Sequence, residues 1–415
     1  MRENYHASRI TIKFMDYTER PSLPPDQLAD VTNTLAYWLP GSVDDTAVSA
    51  WGVAEWAAAE WTAYWQNGLP WLAQRIRESG VTVPEPVYGR IQTLDTGSRE
   101  RTQRMLDSAA ELLNVLAQVG VMGLPFKGAA LAPLVYGEDV GLRPLGDLDV
   151  LIHKKDLQAG VAVLEKLGYR RYSQSAEDVV YLRGERQANI WAADNVQPVE
   201  LHFTLREEYA GMGYNLAEMM WGAGEIRPYW ANTTACIPDR AALLHHVCAH
   251  ASSDWLIQRG RLMHVDDIRR LCGQMGEADW VRLVTAVAPQ NARFVYPALA
   301  FAARYARLNV PPPVLAHLRD NCPPNLLTWI ESTELADNSE ANPVNRSGIG
   351  FGLARRLALS RTDEMRFWLR SFFPRRWNLS KRYPRLVATP FWPLSYLLIN
   401  LDRARHLARK VVTSS

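Results

Sequence analysis

Two aspartates that lie two positions apart are the side chains of this chain best suited to chemistry. Asp147 and Asp149 fall in the run DLDVLI, whose apolar residues predict a strand at 147–152. Because side chains alternate between the faces of a strand, the two carboxylates point the same way, about 6–7 Å apart. They repel each other unless a cation lies between them, and a hard divalent ion such as Mg²⁺ suits that position. Two solvated aspartates at a loop end would have the same spacing, so the pair alone does not decide.

A second predicted strand, at 198–203, supplies a third carboxylate. Its sequence, PVELHF, places Glu200 and His202 on one face and apolar side chains on the other. Polar groups on a strand of core-like sequence need partners, and a position beside Asp147 and Asp149 would provide them. Three carboxylates that hold one or two metal ions are what two-metal phosphoryl or nucleotidyl transfer requires.

A candidate anion site precedes the aspartates. Lys127 and Gly128 lie between a predicted strand at 121–126 and a short predicted helix that ends at Tyr136. At such a junction the glycine lets the backbone approach a phosphate, the helix start favours anions, and the lysine adds a point charge. Lys-Gly is also a common turn dipeptide. Arg143 could bind the same anion or be an ordinary loop arginine.

The order of these residues resembles a known family. A bacterial nucleotidyltransferase family, a divergent branch of the DNA polymerase β-like nucleotidyltransferase superfamily, carries the pattern L-K-G, then Y, R and D-[IL]-D-[IVL]-L. The matching residues are LPFKG at 124–128, Leu131, Tyr136, Arg143 and DLDVLI at 147–152. The resemblance covers about 105–275, because four later segments also match: VELH at 199–202, LLHHVCAH at 243–250, RL at 261–262 and DI at 267–268.

The resemblance implies roles for five residues. Asp147 and Asp149 would be metal ligands, and Glu200 would be the third carboxylate. Lys127 and Gly128 would stand where better-known members of the superfamily carry a Gly-Ser pair that holds the triphosphate. This departure is shared with the divergent branch.

Two histidines of a predicted helix have a separate interpretation. His246 and His250 are four residues apart, a spacing that can bind zinc. With an aspartate such as Asp254 or Asp267 they could form the site of an HD-type metal hydrolase. The alternative is structural: His250 is buried and braces the helical region against the catalytic unit, and Asp267 pairs with Arg261 or caps a helix.

The scaffold that must position these residues alternates helices and strands. Between 101 and 205 the chain predicts helices at 101–120, before 136 and at 155–167, and strands at 121–126, 147–152, 179–183, 189–193 and 198–203. Strand signals fade after Leu216, and 239–318 has the pattern of packed helices. We therefore predict an α+β fold, with a polymerase β-like nucleotidyltransferase core, a mixed sheet, and helical regions on either side in the sequence. The predicted domains are a mostly helical region at 1–100, the nucleotidyltransferase α/β core at 101–225, a helical domain at 226–345 and a basic helical segment at 346–415.

Composition excludes several classes of protein. With 415 residues, 47% of them hydrophobic and 22% charged, the chain is neither collagen-like nor wholly disordered. P-loop, G-x-S-x-G and G-x-G-x-x-G motifs do not occur. Four cysteines without a C-x-x-C pair, and no signal-like or membrane-spanning apolar run, predict a reduced, cytoplasmic protein without a transmembrane span.

The charge is unevenly distributed. Residues 351–415 contain 14 Lys or Arg against three Asp or Glu, whereas the other 350 residues contain 32 against 41. This basic segment could bind RNA or an anionic membrane surface, or it could dock on the acidic body of its own chain.

Together these observations predict an enzyme. It would use Mg²⁺, or Mn²⁺, to transfer a nucleoside monophosphate from a nucleoside triphosphate, ATP among them, to a hydroxyl or phosphate of an unidentified small molecule, peptide, protein or RNA. Lys127, the Gly128 amide and Arg143 would neutralise the triphosphate. The alternative is a non-catalytic accessory protein of a biosynthetic pathway that keeps the nucleotidyltransferase fold.

Overall fold

The computed structural model describes residues 21–175, 177–184, 196–209, 212–338, 356–374, 376, 379 and 383–402. The predicted strand at 189–193 lies outside the described residues. Within the described residues, no helix is both long enough and apolar enough to cross a bilayer.

Five helices precede the first strand. They are α1 (Pro25–Trp38), α2 (Thr46–Ser49), α3 (Val53–Trp65), α4 (Leu69–Ser79) and α5 (Glu85–Gln118). The 34 residues of α5 extend over about 51 Å. Its first half packs in the core of the N-terminal helices through Val87 and Ile91, and its second half packs under the sheet through Leu106 and Leu113. The helix passes through position 100 without a break, so it joins these two parts; the domain division itself stays a prediction.

A mixed five-stranded sheet confirms the predicted fold class. Its strands are β1 (Leu124–Pro125), β2 (Leu148–Leu151), β3 (Arg170–Gln174), β4 (Asp178–Arg183) and β5 (Gln197–His202). They lie in the order β1-β2-β5-β4-β3, with β2 and β5 parallel and the other pairs antiparallel. β2 is buried along its length and β5 is buried beyond Gln197, so the charged side chains Asp149, Glu200 and His202 are held in a buried setting.

Two hairpins follow the sheet. They are formed by β6 (Arg206–Tyr209) with β7 (Met212–Asn215), and by β8 (Gly224–Pro228) with β9 (Thr234–Pro238). The prediction that strands end near Leu216 was therefore wrong. The β8 side chains are mostly exposed, so the strand lacks a clear apolar alternation, and the turn depends on positive φ angles at Ala231 and Asn232.

The remaining helices surround the sheet and build the region after it. They are α6 (Gly128–Val135), α7 (Leu157–Lys166), α8 (Ala217–Gly222), α9 (Arg240–Leu256), α10 (Leu262–Gln274), α11 (Glu277–Ala286), α12 (Ala292–Tyr305), α13 (Pro312–Asp320) and α14 (Pro324–Ser332). Helix α9 is buried over nearly its whole length. Its Trp255 stacks on Phe301 of α12, with ring centroids 3.9 Å apart. The C-terminal part contains the helices Arg361–Phe372 and Pro384–Val387 and a helical stretch at 394–402.

Candidate active site

The parallel pairing of β2 with β5 brings the predicted carboxylates together. Asp149 lies opposite Glu200 in the register, and Leu151 lies opposite His202. Asp147 immediately precedes β2, so it stays on the same face as Asp149. One pocket is lined by all six residues that the sequence predicted for the site: Lys127, Gly128, Arg143, Asp147, Asp149 and Glu200.

Asp149 is the centre of this cluster. Its side chain is 2% exposed, and its Oδ1 lies 2.8 Å from Lys127 Nζ and 3.0 Å from His202 Nε2. The same His202 nitrogen is 3.4 Å from Glu200 Oε2. Ligand atoms of Asp149, Glu200 and His202 all lie within 4.8 Å of one another, which is the separation that a single bound metal ion can bridge. The sequence placed His202 on this face but did not predict it as part of the site.

The electrostatics of the cluster follow from shared negative charge. Burial and the charges of Asp149 and Glu200 raise the pKa of Asp147 to about 7. Burial would also raise the pKa of Asp149, but Lys127 and His202 outweigh it and hold that pKa well below its usual range. Burial would lower the pKa of His202, yet its hydrogen bonds to Asp149 and Glu200 raise it to about 9. Two protein cations thus neutralise Asp149 and Glu200, and Asp147 is left with excess negative charge.

The residues present fit a divalent cation. Carboxylate oxygens are the ligands that Mg²⁺ and Mn²⁺ prefer; those of Asp149 and Glu200 come within 4.8 Å of each other, and Asp147 lines the same pocket. Burial, and then repulsion from Asp149 and Glu200, raise the pKa of Asp147, and a cation bound beside it would oppose both effects. Asp147, Asp149 and Glu200 would hold such an ion.

The turn between β1 and α6 forms the other side of the pocket. Lys127 adopts a positive φ of 49°, which is uncommon for a residue with a side chain. Helix α6 begins at Gly128, and this residue lines the pocket that also contains the carboxylates. A Cβ on Gly128 would lie 2.5 Å from Leu145 Cδ2 and 3.2 Å from Arg143 Nη1. Only glycine fits at this helix start without displacing a neighbour.

Arg143 is fixed by a carboxylate of the helical region. Its Nε donates to both oxygens of Asp267, at 2.8 and 3.0 Å, and Tyr136 donates to Asp267 Oδ1 at 2.7 Å. The expected pairing of Asp267 with Arg261 was therefore wrong. The sequence could not reveal the pair because 124 positions separate its two members. The pair ties the loop before β2 to α10.

A polar wall formed by α9 and α10 completes the pocket. The sequence analysis considered three of its residues only as a possible separate metal site and did not place them beside the carboxylates. We call His246, His250, Asp254 and His264 the histidine wall; all four line the pocket. His250 Nδ1 lies 3.1 Å from Glu207 Oε1 of β6, and Asp254 Oδ2 lies 3.6 Å from His264 Nε2. The spacing of 246, 250 and 254 showed a shared helix face but not what that face meets.

The contacts of the α9 histidines distinguish a structural role from an HD-type metal site. His250 is half-buried rather than buried, and its contact with Glu207 joins α9 to the β6–β7 hairpin. Asp267 is paired with Arg143, so it is engaged away from the histidines. Within the described ranges, the group whose atoms come close enough to hold a metal is Asp149, Glu200 and His202. An HD-type hydrolase site therefore has no support in the geometry.

A family model described as "Uncharacterised nucleotidyltransferase" matches residues 53–307, which include the sheet, the pocket and the histidine wall. The chain belongs to this nucleotidyltransferase family. Membership confirms the resemblance found in the sequence and supports an enzyme of this class.

Solved nucleotidyltransferases also show similarity to the chain. The antibiotic-resistance factor ANT(2'')-Ia is 15% identical, with 49% of this chain and 94% of that chain covered and a TM-score of 0.31. An antigenic nucleotidyltransferase-like protein from Paracoccidioides brasiliensis is 14% identical, with 52% and 93% covered and a TM-score of 0.33. No curated protein matches the chain.

Proposed function

We propose that this member of the nucleotidyltransferase family transfers a nucleoside monophosphate from a nucleoside triphosphate to a hydroxyl or phosphate of an acceptor, with a divalent cation. The observation that carries the proposal is the β2–β5 register, which sets Asp149 opposite Glu200 in a pocket that also contains the Lys127–Gly128 turn. Carboxylates for a metal and a helix start for a phosphate meet in one place. That combination is what nucleotidyl transfer needs.

Each residue of the pocket has a role in this proposal. Asp147, Asp149 and Glu200 would hold Mg²⁺ or Mn²⁺, which when bound supplies charge neutralisation for the phosphates and lowers the pKa of the attacking hydroxyl. Lys127 and the first amide of α6 would contact the triphosphate, and Arg143 would add positive charge beside them.

The reaction itself can be written from these positions. The acceptor oxygen attacks the α-phosphorus of the triphosphate, and the bond from that phosphorus to the bridging oxygen of the β-phosphate breaks. Pyrophosphate leaves with the electron pair of the broken bond. Where the acceptor is a hydroxyl, Glu200 receives its proton.

The acceptor would approach along the histidine wall. This wall lines the same pocket as the carboxylates and contributes imidazole and carboxylate groups from His250, Asp254 and His264. Such groups hydrogen-bond the hydroxyls of an acceptor and orient them toward the α-phosphate. Hydroxyl-bearing acceptors therefore suit the site better than apolar ones.

One observation favours the second candidate, a non-catalytic accessory protein with this fold. Lys127 and His202 already pair with Asp149 and Glu200 through contacts of 2.8 to 3.4 Å, so two of the three carboxylates have cationic protein partners. A binding protein that has lost its metal could keep such a cluster as a structural element.

Transfer of label separates the two candidates. The protein is incubated with Mg²⁺, nucleoside triphosphates labelled at the α-phosphate, and fractions of small molecules, peptides and RNA. The enzyme proposal expects label in one fraction and an equal amount of pyrophosphate, both lost in Asp149→Asn and kept in Asp178→Asn. Asp178 is a matched carboxylate of the same sheet, in β4, and is not among the residues that line the pocket. No transfer to any fraction, or equal transfer by Asp149→Asn, would contradict the enzyme proposal.

A further inference from the structure

Exposed apolar side chains are concentrated at the C-terminal end of the chain. Of the sixteen large apolar side chains that are exposed in the described part of the chain, ten lie between positions 359 and 401, each 41 to 67% exposed. They are Leu359, Met365, Leu369, Phe372, Phe373, Phe391, Leu394, Leu397, Leu398 and Leu401. Single exposed apolar residues are ordinary on a protein surface, but a cluster of this size marks an interaction site.

Helical spacing arranges these residues into two stripes. Met365, Leu369 and Phe372 are at i, i+4 and i+7 of the helix Arg361–Phe372. The helical stretch 394–402 repeats the pattern at i, i+3, i+4 and i+7, with leucines at 394, 397, 398 and 401. The small core beneath this second helix contains Ile399, which is buried. Each helix therefore turns a second apolar face outward, beyond the one that its own packing uses.

The two helices are held to each other. Asn400 Nδ2 donates to the Phe372 carbonyl at 2.9 Å, and the rings of Phe373 and Tyr396 meet edge-on with centroids 5.4 Å apart. Asp363, in the first turn of the helix Arg361–Phe372, bonds Arg293 of α12 at 2.7 Å, which anchors the pair to the body of the protein. We call the two stripes together the C-terminal apolar face.

Positive charge accompanies this face. Residues 351–415 carry 14 Lys or Arg against three Asp or Glu. Arg366 and Arg370 are exposed and each follows a member of the stripe, Met365 or Leu369. The guanidinium of Arg376 lies over the ring of Trp392, 5.1 Å from its centroid, so a positive charge and an amphipathic ring lie together in this part of the chain.

We propose that the C-terminal apolar face binds the surface of an anionic lipid membrane. Leucine and phenylalanine stripes enter the boundary between head groups and acyl chains, while surrounding arginines pair with lipid phosphates. An RNA site would account for the arginines and the aromatic rings, but not for the seven exposed aliphatic side chains. These are Leu359, Met365, Leu369, Leu394, Leu397, Leu398 and Leu401. Two copies joined through this face would bring two strongly basic segments together, which repel each other. The inference is independent of the proposed catalysis.

Vesicle flotation tests the proposal with the full chain. The probes are vesicles of equal parts phosphatidylcholine and phosphatidylglycerol, and vesicles of phosphatidylcholine alone. The wild type should float with the anionic vesicles and not with the neutral ones, and raised ionic strength should weaken the binding because salt screens the charges. Leu397→Ser with Leu401→Ser should weaken binding by about tenfold or more, since two leucines no longer enter the interface. Arg366→Gln with Arg370→Gln should weaken binding to the anionic vesicles as well.

A matched pair of exposed residues serves as the control. Ile226→Ser with Val281→Ser removes two exposed apolar side chains that are not part of the C-terminal apolar face. This double variant should float as the wild type does. All variants replace exposed side chains, so unchanged thermal unfolding checks that they fold. A wild type that does not float with anionic vesicles, or a leucine variant that floats as well as the wild type, would overturn the proposal. A wild-type dimer that the leucine variant loses, or RNA binding without flotation, would overturn it in favour of those partners.

Discussion

At the scale of single residues, two of the three carboxylates in the pocket pair with cations of the protein itself. Lys127 and His202 both contact one oxygen of Asp149, and His202 also reaches Glu200. A buried carboxylate that lost these partners would be costly. Lys127 and His202 therefore stabilise two of the carboxylates, while Asp147 remains under repulsion from Asp149 and Glu200.

Gly128 gives a residue-scale prediction. Gly128→Ala would place a methyl group 2.5 Å from Leu145 Cδ2 and 3.2 Å from Arg143 Nη1. The displaced neighbours line the pocket, so we expect a loss of about 1–3 kcal/mol in the free energy of unfolding and about tenfold or more in nucleotide affinity. Urea unfolding and calorimetric titration with a nucleoside triphosphate measure the two effects.

Gly89→Ala is the control for this change. Gly89 lies in α5, and a Cβ there meets no atom within 4 Å. It should stabilise the protein by up to about 1 kcal/mol, because alanine is the better helix former, without effect on nucleotide affinity. Equal effects of the two alanines would show that the Gly128 contacts are not what the pocket depends on.

Most residues of the candidate site could be predicted at this scale, because their types and order are local features. Asp147, Asp149, Glu200 and Lys127 were all assigned from two strands and one turn. His202 was seen on the right face but left without a role, since a histidine on a strand has many uses. The prediction that Asp267 pairs with Arg261 was wrong, because sequence spacing does not reveal contacts between distant segments such as that of Asp267 with Arg143.

At the scale of elements, residues of α9 and α10 line the pocket together with residues of the sheet. The buried ion pair between Arg143 and Asp267 connects the loop before β2 to α10. Asp267→Asn removes the carboxylate charge that pairs with the buried guanidinium of Arg143. We expect a loss of about 3–5 kcal/mol in the free energy of unfolding, as for other broken buried pairs. Nucleotide affinity should fall with it, because the loop before β2 is no longer held.

The neighbouring aspartate supplies the comparison. Asp266 is also buried, but its partners Arg269 and Arg270 are more exposed and can turn to water. Asp266→Asn should cost only about 1 kcal/mol and leave nucleotide affinity unchanged. If Asp267→Asn and Asp266→Asn had equal effects in urea unfolding and in nucleotide titration, the Arg143–Asp267 pair would not be what holds the loop before β2 to α10.

Helix α9 predicts a dependence of stability on pH. Burial lowers the pKa of His245 to about 4 and that of His246 to about 3. In the unfolded chain both titrate near 6.5, so between pH 6.5 and 4 the unfolded state binds more protons than the folded one. The contribution of these two histidines to the free energy of unfolding should be largest above pH 6.5 and fall as the pH falls through this window.

Histidine variants isolate that contribution. Urea unfolding at pH 7.5 and pH 5.0 should differ by about 1–2 kcal/mol less in His246→Leu than in the wild type. His317→Leu, at an exposed position, should keep the wild-type difference. A pH dependence unchanged by His246→Leu would mean that this imidazole is not held neutral by burial.

The elements themselves were predictable only where their patterns were strong. Helix α7 and strands β2, β4 and β5 lie close to the predicted positions, and α5 ends where predicted but begins at Glu85 rather than at 101. The hairpin β8–β9 was missed because an exposed strand carries no apolar alternation. Strand β1 is shorter than predicted, since only Leu124 and Pro125 pair with β2.

At the scale of the whole molecule, charge and apolar surface divide the chain into an acidic body and a basic C-terminal part. The composition predicted that division, but it did not predict that two helices of the basic part would expose apolar stripes. Periodicity shows that a helix has an apolar face and leaves open whether that face turns inward. The family assignment covers 53–307, so the C-terminal apolar face lies outside the matched region.

The central claim is that the carboxylates of β2 and β5 form a metal-dependent nucleotide site, and calorimetry tests it most directly. Nucleoside triphosphates are titrated into the full chain with and without Mg²⁺, using the wild type, the Asp147→Asn/Asp149→Asn double variant and Asp178→Asn. We expect binding that requires Mg²⁺, is lost in the double variant and is kept in Asp178→Asn. Mg²⁺-independent binding, equal binding by the double variant, or no binding of any nucleoside triphosphate by the wild type would contradict the claim.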